Sequence, residues 1–315
     1  MEDFDVVVVG AGVAGLVAGA TAGRHGLAVV VVDQLGVGGQ ILNVVSVEDF
    51  PGIGDGIPGY ELGPLLHAQA EAAGAAFRLD TVTEVEPIGD RFLARGGQDS
   101  YAAPALIVAC GSTARPLVVP GAEALVGRGV SHCASCDGPL HAGRDVCVVG
   151  GGDSAVQEAI TLADHAAHVT VVFEDPELSA QQVLQAKLAA RANIDLRPST
   201  RVQEIVGEGA VSAIRLGCLS DGSTTTLDVS GVFVYVGLVP SSSLVGGLVG
   251  LDSGGHIEVD LMMQTSRPGL FAAGDIRSRS ASQLASAVGD GATAAVGAFR
   301  YLMARSGASR EASLG

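Results

Sequence analysis

The chain has 315 residues, long enough for two hydrophobic cores. Hydrophobic residues make up 48 %, Gly numbers 45 and Trp is absent, a mix that excludes a disordered chain and suits an α/β protein with many tight strand–turn–helix joints. A net charge of −16 with no Lys/Arg cluster argues against a nucleic-acid partner.

Val6 to Gly23 carries no charge and is long enough to imitate a membrane span. It holds five glycines and follows Glu2, Asp3 and Asp5, whereas a signal peptide opens with positive charge. It reads as a buried strand, a turn and a helix. With no targeting segment, a cytoplasmic protein without membrane association is expected. The strand is the four-valine run Val6–Val9, as in parallel sheets covered on both faces. The turn is Gly10-Ala11-Gly12-Val13-Ala14-Gly15, and a second apolar run, Ala28–Val32, ends at Asp33. Gly10 and Asp33 stand at the roughly 20-residue spacing of a dinucleotide fingerprint.

Leu106–Gly111 reads as another strand ending in a small-residue turn. Cys133-Ala134-Ser135-Cys136 follows, a spacing that lets two sulfurs approach at a helix start and reads as a redox dithiol near a βαβ unit. A structural zinc site would need a second such pair or suitably spaced His. His132 and His141 do not supply it, so no metal is expected. Asp137 reads either as a general acid for a leaving thiolate or as a helix N-cap. Cys147, in the apolar run Val146–Val149, reads as a buried inert thiol.

The Val146–Val149 run opens a second copy of the first device. Gly150-Gly151-Gly152-Asp153-Ser154-Ala155 follows, then a helix over Val156–Ala163 and a strand over Val169–Phe173 that ends at Glu174. In both copies the first Gly makes the turn and the second admits a pyrophosphate to the backbone. The third position, Gly15 or Ala155, must be small, and the terminal acid meets ribose hydroxyls. Two copies in this context predict two dinucleotides, FAD plus a nicotinamide. The first copy is the FAD candidate, because Leu106–Gly111 and Leu270-Phe271-Ala272-Ala273-Gly274-Asp275 accompany it. Asp275 would face the ribityl chain, or else cap a following helix. The fold class is therefore α/β, with two Rossmann-like three-layer domains, the nicotinamide domain inserted in the FAD domain. Breaks near Arg115–Pro116 and Ser241–Ser243 give an FAD domain of residues 1–115 and 242–315. Residues 116–241 form the nicotinamide domain, which carries the Cys pair. The tail Ser306–Gly315 is polar, small and expected to fray.

The order GAGVAG, Gly38-Gly39-Gln40, CASCDG, GGGDSA, FAAGD, Gln283-Leu284-Ala285 and Gly289-Asp290-Gly291-Ala292 resembles the low-molecular-weight thioredoxin reductases over nearly the whole chain. Around Cys136–Leu140 and Gln182–Leu188 it is similar to the flavoprotein component of alkyl hydroperoxide reductase, without that protein's N-terminal modules. The resemblance implies that Cys136 receives electrons from the flavin, that Cys133 attacks a partner disulfide and that Asp137 is the acid. It implies an FAD site of Gly10, Gly12, Ala14, Gly15, Asp33, Gly39, Gln40, Asp49, Val85, Ala109, Gly111, Gly274, Asp275, Gln283, Leu284 and Ala285. It implies a nicotinamide site of Gly150, Gly152, Asp153, Ser154, Ala155, Glu174 and Gly237. It also implies a homodimer whose nicotinamide domain rotates, with a thioredoxin- or glutaredoxin-like partner on a separate chain.

One departure bears on the donor. Members that use NADPH carry arginines where this chain has Glu174, Asp175 and Ser179. The extra phosphate carries about −1.5 to −2 charge. A carboxylate ~4 Å from a unit charge costs about 4 kcal/mol at an effective dielectric of 20. NADH is therefore expected over NADPH. Competing readings are a flavin-dependent dithiol oxidase that uses oxygen, a non-catalytic flavin redox sensor and a ferredoxin-linked reductase. Cys110, where many relatives have Thr, reads as a tolerated small residue.

Overall fold

A computed structural model describes residues 1–54 and 56–312. The chain forms two compact units, Met1–Thr113 with Val239 onward, and Ala114–Leu238.

In the first unit, five parallel strands lie in the order Leu270–Ala272, Ala105–Val108, Val6–Val9, Val29–Asp33, Ala76–Leu79. The valine runs are buried on both faces, and alternate residues serve different cores. Val6, Val8, Val29 and Val31 pack under the helices Val13–Arg24, Gly59–Ala72 and Leu284–Ala312. Val7, Val9, Val30 and Val32 pack against Phe92, Ala94 and Tyr101. These belong to an antiparallel sheet built from Val82–Ile88, Arg91–Gly96 and Ser100–Ala103. Helices, parallel sheet and antiparallel sheet make three layers. Each fully buried Val contributes about 1.5–3 kcal/mol.

The second unit repeats the plan. Its parallel sheet runs Val130–Ser131, Gly231–Val234, Asp145–Val149, His168–Val172, Ile194–Arg197. Val146, Val148, Val169 and Val171 face the helices Asp153–Ala163 and Gln182–Ala189. Cys147, Val149 and Val172 face Val202, Ile205, Ile214 and Leu216 of the antiparallel sheet Thr200–Val206, Ala213–Cys218, Thr224–Asp228. Even the register shift recurs, at Val82/Glu84 in one copy and Val202/Glu204 in the other.

The breaks fall two or three residues before the expected positions. Arg115 N–H already donates to Gly237 O within the second unit, at 2.9 Å. Ser241 N–H donates to Gly111 O at 3.0 Å and Ser242 Oγ to Gly255 O at 2.6 Å, so both serines belong to the first unit. Of the tail, residues 306–312 continue the Leu284–Ala312 helix, and residues 313–315 lie outside the described residues. Among the described residues no helix is long and apolar enough to cross a membrane.

His141 gives the second unit a pH dependence. Its ring is buried, 2.9 Å from Ser230 Oγ through Nδ1, and packs edge-on to Phe233. Burial, aided by Arg144, holds its pKa below the usual histidine value, so folding favours the neutral ring. That stability is present above the unfolded pKa of about 6.5 and is lost as pH falls through the lower folded value. The melting temperature should therefore drop on acidification from pH ~7.5 towards pH ~5. His141→Gln should flatten that drop; an unchanged slope in the variant would remove His141 as its source.

Candidate active site and dinucleotide turns

The two Gly-rich turns sit at the C-terminal ends of central parallel strands, where ligands of open α/β sheets bind. Gly10 has φ +104° and Gly150 φ +135°; a Cβ on Gly10 would lie 2.4 Å from Ala109 O, and one on Gly150 would lie 2.2 Å from Tyr235 O. Gly150→Ala should cost on the order of 3 kcal/mol, read as a lower denaturation midpoint. A loss below ~1 kcal/mol would show that the turn relaxes.

Gly12 and Gly152 serve the opposite purpose. They precede the helices Val13–Arg24 and Asp153–Ala163, and neither helix start has a side-chain cap. A Cβ on Gly12 would meet nothing within 4 Å, and one on Gly152 only Ser179 Oγ at 3.8 Å. Both helices therefore present bare, uncapped amides, which suits an anion. Asp33 spans the first turn, accepting Ala11 N–H at 2.7 Å and Leu35 N–H at 2.8 Å. Asp153 is engaged differently, accepting Gln181 N–H at 2.7 Å and Gln181 Nε2 at 2.8 Å. The small third residues, Gly15 and Ala155, are buried: a Cβ on Gly15 would lie 1.8 Å from Gly10 O, while the Ala155 methyl lies beneath Gly150.

A cavity of about 370 Å³ opens beside the first turn, lined by Gly10, Asp33, Gln34, Asp80, Thr81, Val82, Thr83, Cys110 and Ser241 among others. Asp33 in its wall, an acid placed to accept ribose hydroxyls, fits the adenosine end of FAD. The uncapped turn next to it fits the pyrophosphate. Asp80, missed in the sequence, fixes this wall by accepting Thr81, Gln98 and Asp99 N–H and the Tyr101 hydroxyl. Its only sequence signal is an acid beside a turn. The Val85 side chain lies in the core with Val32, Phe92 and Tyr101, while Val82 and Thr83 of the same strand line the cavity. Asp49 is exposed on the loop after the Gly39–Asn43 turn and is also absent from the cavity wall. Cys110 lines the cavity, and burial pushes its thiol up to about 12, so it stays protonated at neutral pH.

Other expected residues gather at the same edge of the first unit. Gly38 N–H donates to Ala11 O at 2.8 Å, Gly39 packs on Gly12, and the Gln40 amide donates to Ser112 O. Ala109 N–H donates to Val9 O at 2.8 Å, and Gly111 has φ +62° with open space at its Cα. Gly274 N–H donates to Asp290 Oδ2 at 3.2 Å. Asp290 is buried and gripped by Arg277 through Nε and Nη2, both at 2.8 Å. Asp275 caps no helix, because the next one begins at Leu284. Its carboxylate accepts the Ser280 hydroxyl at 3.1 Å, and burial raises its pKa. Gln283, Leu284 and Ala285 form the start of that last helix.

In the second unit Cys133 and Cys136 are joined in a disulfide, with Cα atoms 5.3 Å apart. Cys133 is the N-cap of the short helix Ala134–Asp137, and its sulfur accepts Cys136 N–H at 3.2 Å. Asp137 ends that helix and makes no side-chain cap bond, so the capping role is not realised. His132 Nδ1 lies 2.8 Å from Val234 O. Cys147 is fully buried, and burial raises its thiol to about 12. Among the described residues no group of three His, Cys, Asp or Glu side chains could hold a metal.

Glu174, at the end of the His168–Val172 strand, has a partner the sequence did not suggest. Arg201 grips it with two bonds, 2.9 and 2.7 Å long, and holds its carboxyl below the usual range. Gly237 has φ +103°, and a Cβ there would lie 3.6 Å from Arg115 Nε.

Two dinucleotide-binding folds and a disulfide between cysteines three positions apart define a pyridine nucleotide–disulfide oxidoreductase. The profile of the pyridine nucleotide-disulphide oxidoreductase family matches residues 4–291. The chain is 39 % identical over 300 residues to a thioredoxin reductase of Listeria innocua, covering 95 % of this chain and 94 % of that one. It is 36 % identical over 300 residues to a thioredoxin reductase of Bacillus subtilis, covering 95 % of each. The crystal structure of Lactococcus lactis thioredoxin reductase matches with a TM-score of 0.92 at 34 % identity, over 95 % of this chain and 99 % of that one. That of T. acidophilum thioredoxin reductase also gives 0.92, at 35 % identity, over 96 % and 100 %. The chain belongs to the low-molecular-weight thioredoxin reductases, FAD-dependent disulfide oxidoreductases of this family.

Proposed function

We propose that this protein is an NADH-dependent thioredoxin reductase that reduces a thioredoxin- or glutaredoxin-like partner on a separate chain, as a homodimer in the cytoplasm. The observation that supports this most is the Cys133–Cys136 disulfide in the same unit as the second Gly-rich turn. FAD, when bound, supplies a hydride acceptor that passes two electrons to a disulfide.

The protein's own groups do the rest. The bare amides behind Gly12 and Gly152 bind the pyrophosphates, Asp33 orients an adenosine ribose, and Asp275 holds the ribityl hydroxyls. Two electrons enter at Cys136, break the Cys133–Cys136 bond and leave both sulfurs as thiolates. Cys133 attacks the partner disulfide, forming a mixed disulfide and expelling the first partner thiolate. Cys136 then attacks the Cys133 sulfur, re-forming the pair and expelling the second. Asp137 protonates a leaving thiolate.

The choice of NADH is supported by Glu174. Arg201 pairs with this acid, which already occupies its guanidinium. A 2′-phosphate would meet the Glu174 and Asp175 carboxylates, with the Arg201 fork already engaged by Glu174. Anaerobic mixing of the FAD-loaded protein with NADH and, separately, NADPH should bleach the flavin quickly with NADH and slowly with NADPH. Bleaching by a dithiol but by neither nicotinamide would overturn the reading in favour of a dithiol oxidase.

A further inference from the structure

One half-buried acid takes no part in the reaction. Glu158, on the Asp153–Ala163 helix, reaches to the first turn of the helix that carries the Cys pair. Its Oε2 accepts Ala134 N–H at 2.8 Å and the Tyr235 hydroxyl at 3.1 Å. Ala134 is fully buried and directly follows Cys133. Tyr235 extends from the Gly231–Val234 strand. The acid therefore ties the redox helix both to its own helix and to the central sheet. Against the burial of its charge stand two neutral donors, the Ala134 N–H and the Tyr235 hydroxyl.

We propose that Glu158 is a positioning residue for the redox pair: it pins the first turn of the Cys133–Cys136 helix through Ala134, and its negative charge holds back ionisation of the Cys133 sulfur. The proposal rests on the reading of Cys133–Cys136 as the redox pair. An amide beside Cys133 that could stabilise a thiolate is already taken by Glu158, and a second anion beside the first is disfavoured. The opposing influence is Cys136 N–H, which already donates to the Cys133 sulfur. Asp137 on the redox helix adds negative charge near Tyr235. Burial raises the Glu158 pKa, while Ala134 and Tyr235 lower it. The acid thus ionises later than an exposed carboxylate, and its restraint on Cys133 grows as pH rises through that value. Less stable thiolate means a less stable reduced pair, and so a stronger reductant.

Glu158→Gln keeps an acceptor for Ala134 and Tyr235 and removes only the charge. The test is the pH profile of Cys133 alkylation by iodoacetamide, read by peptide mass spectrometry. It uses FAD-loaded, full-length Cys136→Ser protein, with and without Glu158→Gln. The account expects the Cys133 midpoint to fall by about one pH unit in the Glu158→Gln protein, a tenfold gain in thiolate below the midpoint. An unchanged or raised midpoint would overturn the proposal. With both cysteines present, Glu158→Gln should move the dithiol–disulfide equilibrium tenfold towards dithiol at pH ~8.5, about 30 mV.

If Glu158→Gln fails to load FAD, Tyr235→Phe serves. Loss of that donor should move the acid step of the Cys133 profile, which reports Glu158, to higher pH. A step that stays in place would overturn the proposal. The alkylation experiment uses neither nicotinamide nor partner. Absence of NADH-driven turnover would thus count against the proposed function, and an unmoved profile against Glu158 alone.

Discussion

Cys136→Ser is expected to abolish reduction of a protein disulfide, by on the order of 10³-fold or more, while flavin reduction by nicotinamide continues. The bonded pair is the only cysteine couple among the described residues; Cys110, Cys147 and Cys218 are free. Cys110 and Cys147 are held protonated by burial and cannot stand in. A structural role for the bond predicts something else. The two cysteines are three positions apart, and closing so short a loop restricts the unfolded chain little, by about 2 kcal/mol. The variant should therefore fold, load FAD and lose only electron delivery. Stopped-flow flavin reduction beside a partner-disulfide assay separates the two steps. Partner reduction within tenfold of the unaltered protein would remove the pair from the reaction.

The second large effect concerns the donor. Glu174→Arg with Asp175→Arg should raise kcat/KM for NADPH about 100-fold and reverse the preference. Each guanidinium fork on a phosphate is worth about tenfold or more, and two like charges are removed with it. Glu174 and Asp175 are both exposed, so exchange for arginine disturbs no core. Glu174→Gln alone should give about tenfold, because it releases Arg201 from its two bonds and leaves that guanidinium free for a 2′-phosphate. The comparison is steady-state kcat/KM with each nucleotide. Equal use of both by the unaltered protein, or no gain in the double variant, would show that this rim does not set the choice.

Much of the fold was legible because its signals are local. Val6–Val9 and Val146–Val149 are continuous apolar runs that only a doubly covered strand explains, and each leads into a glycine turn whose geometry excludes a side chain. The third layer of each unit was not legible. The strand Val82–Ile88 buries only Val85, Thr200–Val206 buries only Val202 and Ile205, and both carry charges, so no apolar run marks them. The residues missed at the site depend on contacts between distant segments. Glu158 looks like the solvent face of a helix until Ala134 and Tyr235 close over it. Arg201 meets Glu174 across 27 positions, and Asp290 reaches Gly274 and Arg277 from the last helix. Pairing with Ala94 and packing on Tyr101 turn the Val85 side chain into the core, which its sequence neighbours do not reveal. The capping alternatives for Asp137 and Asp275 failed for different reasons: Asp137 stands at the start of the 3-10 helix Gly138–His141 but its carboxylate makes no cap bond, and Asp275 has no helix start before Leu284.

The measurement that tests the central claim most directly is a count of thiols on Cys133 and Cys136 after anaerobic addition of NADH to the oxidised, FAD-loaded protein. Alkylation and peptide mass spectrometry would supply the count. The account predicts that both cysteines change from disulfide to alkylated thiol in step with the NADH consumed. A reduced flavin with the Cys133–Cys136 bond intact would contradict it.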